Sequence, residues 1–156
     1  MTLHFKNTLG GQLEPFEPLE PGRVRMYSCG PTVYAPAHVG NFRAFVFADL
    51  VHRALRFSGY EVTWVMNITD VDDKIIRDAA AAGRDIGDFT AAHTAAFLED
   101  LTRLNIDEPD IMPRATDHIE DMVALIETLI EKDHAYRTED GSVFFRIASW
   151  PAYGRL

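Results

Sequence analysis

The sequence predicts an α/β fold: a parallel sheet founded on a β-α-β unit, followed by a largely helical stretch that includes a β-hairpin. Three observations carry that prediction. Residues 23–29, alternating toward an apolar end, and 60–68, rich in β-branched and aromatic side chains, flank a stretch from 39 to 57 whose apolar residues recur mostly at steps of three and four. Ser58-Gly59 closes that stretch as helices commonly end. Beyond residue 75 the helical period dominates, interrupted by a proline-marked connection and a Thr-Glu-Asp-Gly turn.

The elements follow in order. Leu3 to Phe5 is a short strand candidate, and Gly10-Gly11 with Pro15, Pro18 and Pro21 makes a turn-rich lead-in. Arg23 to Cys29 reads as a strand. Phe42, Phe45, Val46, Leu50, Ala54 and Phe57 mark the helix from Val39 to Phe57, and Tyr60 to Ile68 reads as the second strand. Strand, helix, strand in this order gives two parallel strands joined by a right-handed crossover. Trp64 and Met66 alternate with Val65 along the second strand and are assigned to the core. Ile75 to Ala82 is helical. Asp88 to Leu104 is a helix with Phe89, Ala92, Ala96, Phe97 and Leu101 on one side. Thr116 to Lys132 is another, with Ile119, Met122, Val123, Ile126, Leu129 and Ile130 expected inward. Residues 88–132 are expected to pack away from the turn that precedes the first long helix. His134 to Arg137 and Ser142 to Ile147 flank the hairpin turn.

At 156 residues, 47% hydrophobic and 25% charged, the chain has the composition of one soluble globular domain with its own core. No apolar run approaches the ~20 residues that cross a bilayer, and the N-terminus lacks a secretory pattern. A single cysteine, Cys29, cannot form an intrachain disulfide. A cytoplasmic location without membrane association is the expectation. The formal net charge of −9 weighs against broad, unspecific nucleic-acid binding and leaves a local anion site open.

In open α/β sheets ligands bind beyond the carboxyl ends of the strands. Two stretches fall there, 29–41 and 67–74. His38-Val-Gly-Asn41 opens the long helix, whose free amides and positive dipole end attract phosphate. Gly40 admits a ligand close to the backbone, and His38 and Asn41, three residues apart, can both donate to phosphate oxygens. A locally satisfied histidine in a helix-opening turn is the alternative. Thr69 is either a polar ligand contact or a hydroxyl capping the next helix. Asp70, Asp72 and Asp73 could hold magnesium, but an acidic first turn serves the helix dipole equally well and is the preferred reading. His4, His52, His93, His118 and His134 show no ligand spacing and are read as solvated or core histidines.

Taken together, CGPTVYAPAHVGNFR after a strand and before a helix, GYEVTWVMNITDVDDKII, LNIDEPDIMPRATDHI, and DGSVFF followed by YGRL resemble the cysteinyl-tRNA synthetases of class I, along the whole of residues 1–156. The resemblance implies the first half of a class I Rossmann-type catalytic domain at 1–74, then at 75–156 a helical continuation and the start of the connective insertion. It implies ATP-dependent activation of L-cysteine to cysteinyl-adenylate, with ATP and Mg2+ as substrate, and transfer to tRNA(Cys) in the full-length protein. His38 and Asn41 map onto the catalytic, phosphate-binding positions of the family's HIGH motif. Gly30, Pro31, Thr32 and Gly40 complete the ATP site, and Cys29, Thr32, Asn67, Ile68 and Thr69 map onto the amino-acid and adenylate pocket. Cys29 maps onto one ligand of the family's Zn2+, a soft thiolate suited to a metal that binds the substrate's own thiol. Ala44 departs from the threonine frequent after the family's Asn-x-Arg. No second cysteine and no KMSKS loop occur in the sequence, so the zinc site is expected to be incomplete. The chain is accordingly expected to be the N-terminal portion of a synthetase and inactive alone. A stand-alone, non-catalytic paralogue binding a nucleotide or a partner protein is the other reading. A fragment of the cysteine ligase of mycothiol synthesis ranks below the tRNA ligase. Oligomeric state is not set by the sequence.

Overall fold

A computed structural model describes residues 3–155; Leu156, the last residue of the closing Tyr-Gly-Arg-Leu, lies outside the described residues, as do Met1 and Thr2. The elements are β1 (His4–Lys6), β2 (Leu13–Pro15), β3 (Arg23–Ser28), α1 (Val39–Phe57), β4 (Glu61–Met66), α2 (Asp73–Ala81), α3 (Ile86–Arg103), α4 (Ile119–Glu131), β5 (Ala135–Arg137) and β6 (Val143–Phe145). The chain packs as two units. One is Glu17–Asp117; the other comprises the residues up to Phe16 and those from His118 onward.

In the first unit β3 and β4 pair in parallel, in register from Arg23 opposite Glu61 to Ser28 opposite Met66, with α1 as the crossover. The expected β-α-β unit is present. The proline-marked connection does more than link helices, because it runs beside β4. The Ile111 amide donates to Trp64 O at 3.2 Å, Met66 N to Ile111 O at 3.0 Å and Ile68 N to Pro113 O at 2.8 Å. Short bridges of this kind satisfy the outer edge of β4 without a regular strand.

The core lies between this sheet, α1 and α3. Trp64 and Met66 are fully buried, as their alternation predicts, among Phe42, Phe45, Phe97, Leu101 and Ile106. Phe97 meets Phe45 edge-on with centroids 5.0 Å apart and stacks on Phe42 at 6.0 Å. Such ring pairs add to the area term that dominates core stability. Because α3 shares this core with α1 and β4, residue 74 falls inside one packed unit rather than between two.

Polar groups then fix the return segment to α1 and β4. Arg53 donates to Asp49 Oδ2 at 2.8 Å, to Asp107 Oδ1 at 2.6 Å and to Asn105 O at 2.7 Å, while the Asp107 amide donates to Asp49 Oδ1 at 3.0 Å. Trp64 N donates to Asp110 Oδ2 at 2.7 Å. The three acids at 70–73 separate into different roles. Asp70 is buried and accepts from the Thr116 amide and hydroxyl at 2.9 and 2.7 Å. Asp72 is the N-cap of α2, accepting from Ile75 N at 2.6 Å, and Asp73 lies in its first turn. The last two carry out the dipole and capping function preferred from the sequence.

Two packing expectations are corrected. On α4 the inward stripe is not covered: Ile119, Met122, Val123 and Ile126 are exposed, and only Leu129 and Ile130 are half-buried. An apolar helix period reports a face that calls for cover, and in this unit β5 alone packs against α4 to a significant extent. On α1, Val46, Leu50 and Phe57 are likewise exposed although they keep the helical period. In the same unit as α4, β1 pairs antiparallel with β2, a strand inside the turn-rich lead-in, and Phe5 meets Phe16 edge-on at 5.5 Å. The hairpin β5–β6 pairs antiparallel over three residues a side, shorter than expected.

Removing a buried acceptor leaves its donors unsatisfied, so Asp70→Ala is expected to lower the unfolding free energy by about 1–3 kcal/mol. Asp73→Ala, at an exposed first-turn position, is expected to change it by less than about 1 kcal/mol. Urea denaturation of both variants is the check, and equal effects would contradict the role assigned to Asp70.

Candidate functional site

The loop from Cys29 to His38 leaves the carboxyl end of β3 and enters α1, and every residue of it lines one cleft of about 510 Å³ together with Gly40, Asn41, Ala44, Phe45, His93 and Phe97. Of the site residues expected from the sequence, Cys29, Gly30, Pro31, Thr32, His38, Gly40 and Asn41 are thus brought together. Asn67, Ile68 and Thr69 are not among the lining residues.

Those three hold the loop from behind. Asn67 Oδ1 accepts from the Tyr27 hydroxyl at 2.8 Å and the Gly30 amide at 3.1 Å, and Asn67 Nδ2 donates to Thr69 Oγ1 at 3.1 Å. Ile68 is buried. Thr69 brackets the loop with its main chain, donating to Pro31 O at 2.9 Å and accepting from Val33 N at 3.1 Å. Its hydroxyl caps no helix, since Asp72 does that for α2. The approach is so close that a Cβ on Gly30 would lie 1.7 Å from the Asn67 carbonyl oxygen, which only glycine avoids.

At the other end of the loop, His38 is the N-cap of α1. Its Nδ1 accepts from the Gly40 amide at 3.0 Å, and Asn41 Oδ1 accepts from the His38 amide at 3.0 Å. This reciprocal cap orients both side chains. Nδ1 acts as the acceptor, so a neutral His38 ring carries its proton on Nε2; Asn41 uses its oxygen in the cap and keeps its Nδ2 hydrogens. Both side chains therefore retain donors, and both are exposed at the cleft. Gly40 serves the cap itself, because a Cβ there would come within 2.8 Å of the His38 ring.

The opposite side of the cleft contains His93 and Phe97 from α3. The expectation that residues 88–132 pack away from this turn is therefore corrected: the apolar face of α3 follows Phe42 and Phe45 into the core and carries His93 to the cleft. His93 packs edge-on against Phe89 at 5.7 Å. Nothing in its sequence spacing marks it, because its neighbourhood with His38 is created by helix packing alone.

Cys29 is exposed, with its sulfur 3.7 Å from the Gly30 carbonyl oxygen. As a zinc ligand it stands alone, since the one cluster of three ligand-type side chains among the described residues, Asp49, His52 and Asp107, does not include it. In that cluster Arg53 and Arg56 already supply the compensating positive charge, at 2.6 to 3.3 Å from the carboxylates. The residues present thus fit a zinc ion at Cys29 through one ligand only.

Comparison with known proteins gives a consistent family. A family model described as tRNA synthetases class I (C) catalytic domain matches residues 15–156. A cysteine–tRNA ligase of Koribacter versatilis is 53% identical over 156 residues, all of this chain and 32% of the relative. One of Rhodospirillum rubrum is 54% identical over 156 residues, covering 34% of the relative, and one of Methanosarcina mazei is 49% identical over 154 residues, covering 32%. The chain spans about a third of the length of these curated relatives. Among solved structures, Mycobacterium tuberculosis methionyl-tRNA synthetase in complex with methionyl-adenylate matches with a TM-score of 0.64 at 23% identity, over 73% of this chain and 23% of that one; at this identity the likeness is one of fold.

Asn67→Ala is expected to cost about 1–3 kcal/mol, because it strips acceptors from Tyr27 and Gly30 at once, and Gly30→Ala is expected to cost at least as much through the main-chain clash. Thermal denaturation of the two variants beside Thr69→Ala, expected to be the mildest, checks the order. Zinc is expected to bind this chain weakly in competition with a chelator. Tight 1:1 binding by a monomer, abolished in Cys29→Ser, would reveal a complete site.

Proposed function

The chain belongs to the family of class I tRNA synthetase catalytic domains of the cysteine type, and from that premise we propose that its cleft is the ATP-binding part of a cysteine–tRNA ligase. The proposed reaction is ATP-dependent activation of L-cysteine followed by transfer to tRNA(Cys). In the first step a carboxylate oxygen of cysteine attacks the α-phosphorus, a new C–O–P link forms, and pyrophosphate leaves. In the second, a terminal ribose hydroxyl of the tRNA attacks the activated carbonyl and AMP leaves. Magnesium accompanies ATP as part of the substrate.

The observation that carries this reading is the reciprocal His38–Asn41 cap. It commits the acceptor atoms inward and leaves donors at a helix N-terminus, where negative charge is favoured. In the proposed first step the phosphate gains negative charge as the carboxylate arrives. His38 Nε2–H and Asn41 Nδ2 meet that charge as preorganised donors, with no covalent role. The Thr32 side chain and the Phe97 wall of the cleft would take the remainder of the nucleotide and the amino acid, the Gly30 and Val33 amides being committed to Asn67 and Thr69. Cys29, exposed in the lining of the cleft, is proposed to face the sulfur of the substrate cysteine. Cys29 would be one ligand of a zinc ion there, with the others proposed to come from the part of the relatives that this chain does not match.

The remainder of the catalytic machinery is proposed to come from the two-thirds of the relatives' length that this chain does not match. The exposed Val46, Phe47 and Leu50 of α1 support that proposal, because a helix with apolar residues on two faces calls for cover on both.

Two outcomes are expected. This chain alone gives no cysteine-dependent exchange of pyrophosphate into ATP above a His38→Ala control. In a full-length relative carrying this segment, His38→Ala lowers the exchange rate about 100- to 1,000-fold with a smaller change in KM for cysteine, as loss of a transition-state donor requires. An unchanged rate would remove the cleft from the chemistry.

A further inference from the structure

Between the anchored ends of the cleft loop, a turn at Val33-Tyr34 is followed by Ala35-Pro-Ala37, which belongs to no regular element. At one end Val33 is buried and tied to Thr69; at the other the His38 amide is tied to Asn41. Ala37 packs against the core, and one polar side chain reaches the turn. The Lys74 ammonium lies 3.7 Å from the centroid of the Tyr34 ring, well within cation–π range.

Lys74 is held for this contact from its other side. Nζ also donates to Asp78 Oδ2 at 2.9 Å, one turn further along α2. The hydrogen bond from Lys74, joined by one from Arg77, keeps the Asp78 carboxyl below its ordinary range and therefore ionised. The helix itself is fixed by the Asp72 cap and by the buried Ile75 and Ala79. Lys74 does not line the cleft, whereas Tyr34 does. The turn of the loop, held at Ala37 by the core, is thereby also tied at Tyr34 to a rigid helix through one ring and one ammonium.

We propose that Lys74 is a positioning residue: through the face of Tyr34 it holds segment 34–37 in the conformation that presents His38 to a phosphorylated ligand. This rests on the reading of the cleft as a nucleotide site, but the clamp has its own physical signature. Because a cation–π contact depends on the ring face and on positive charge, Lys74→Arg and Tyr34→Phe keep it. Lys74→Met and Tyr34→Leu remove it while keeping bulk.

The test uses this chain and MgATP as the probe. Amide ¹⁵N relaxation is expected to give Ala35 an order parameter near 0.85 in the native chain and below about 0.6 in Lys74→Met and Tyr34→Leu, with recovery in Lys74→Arg and Tyr34→Phe. The ε-methylene protons of Lys74 should carry an upfield ring-current shift that Tyr34→Leu abolishes and Tyr34→Phe preserves. MgATP should bind roughly two- to fivefold more weakly to either clamp-breaking variant, and the double variant should be no weaker than the singles. Unchanged order parameters in Lys74→Met, failure of Lys74→Arg to restore them, or additive losses in the double variant would each overturn the proposal. If the native chain binds no MgATP, the nucleotide reading fails, and with it the presenting role of Lys74; relaxation and the ring-current shift still decide whether the clamp exists.

Discussion

The carboxamide of Asn67 sits where two parallel strands end and one loop begins, and the cleft depends on how it is shared. Parallel strands diverge beyond their last ladder bond, leaving polar main-chain groups without partners in a half-buried place. Asn67 closes that gap with one oxygen serving Tyr27 from β3 and Gly30 from the loop, and with its nitrogen committed to Thr69. Gly30 is the steric counterpart of the same constraint, since no other residue could lie so close to the Asn67 carbonyl. With this junction fixed, the Pro31 and Val33 main chain is stitched to Thr69, and the loop departs toward α1 in one direction.

From there the constraints run outward through packing. The loop delivers the chain to His38, and the cap there sets the start of α1. Phe42 and Phe45, in the first two turns, are seated against Phe97 of α3, and Trp64 and Met66 seat the same core on β4. Rings locked edge-to-face tolerate little rotation, so the orientation of the α1 N-terminus is tied to the core rather than to the loop alone. The Arg53–Asp49–Asp107 ion pairs act at the far end of α1, holding the return segment that lies along β4. Asp49 is buried while Arg53 and Asp107 reach the surface, so the network anchors the return segment at its inner end.

What was legible in the sequence followed from periodicity and from short-range chemistry. The bounds of α1 could be read because His38 and Ser58-Gly59 bracket a helical period, and the parallel pairing followed from the order of elements. The clustering of Cys29, His38 and Asn41 in one cleft was readable because they share a single loop and its helix. The position of His93 was not, because it is set by the packing of α3 on α1, which a linear sequence does not display. The structural bonds of Asn67 are not legible, since nothing local indicates that its oxygen accepts from Tyr27, forty residues earlier, and from Gly30. The α4 stripe was read as inward because a helical period reveals that a face is apolar, not whether anything lies against it.

The cleft's charge is the remaining clue to its selectivity. No lysine or arginine is among the described residues that line it, and the chain as a whole carries a formal charge of −9. A polyanion such as a nucleic-acid backbone is attracted by clustered cations and at a distance, and this surface offers little of either. A compact phosphorylated ligand instead can be met by neutral donors and a helix end at short range, where directional hydrogen bonds count for more than net charge. Neutral donors also leave room for the cation that such a ligand brings with it, since they do not repel it. On the proposed reading the cleft selects by geometry: a phosphate is met by the donors that His38 and Asn41 keep free of their cap rather than by cations. That is why the precision of the Asn67 junction and of the cap matters more here than any single charge.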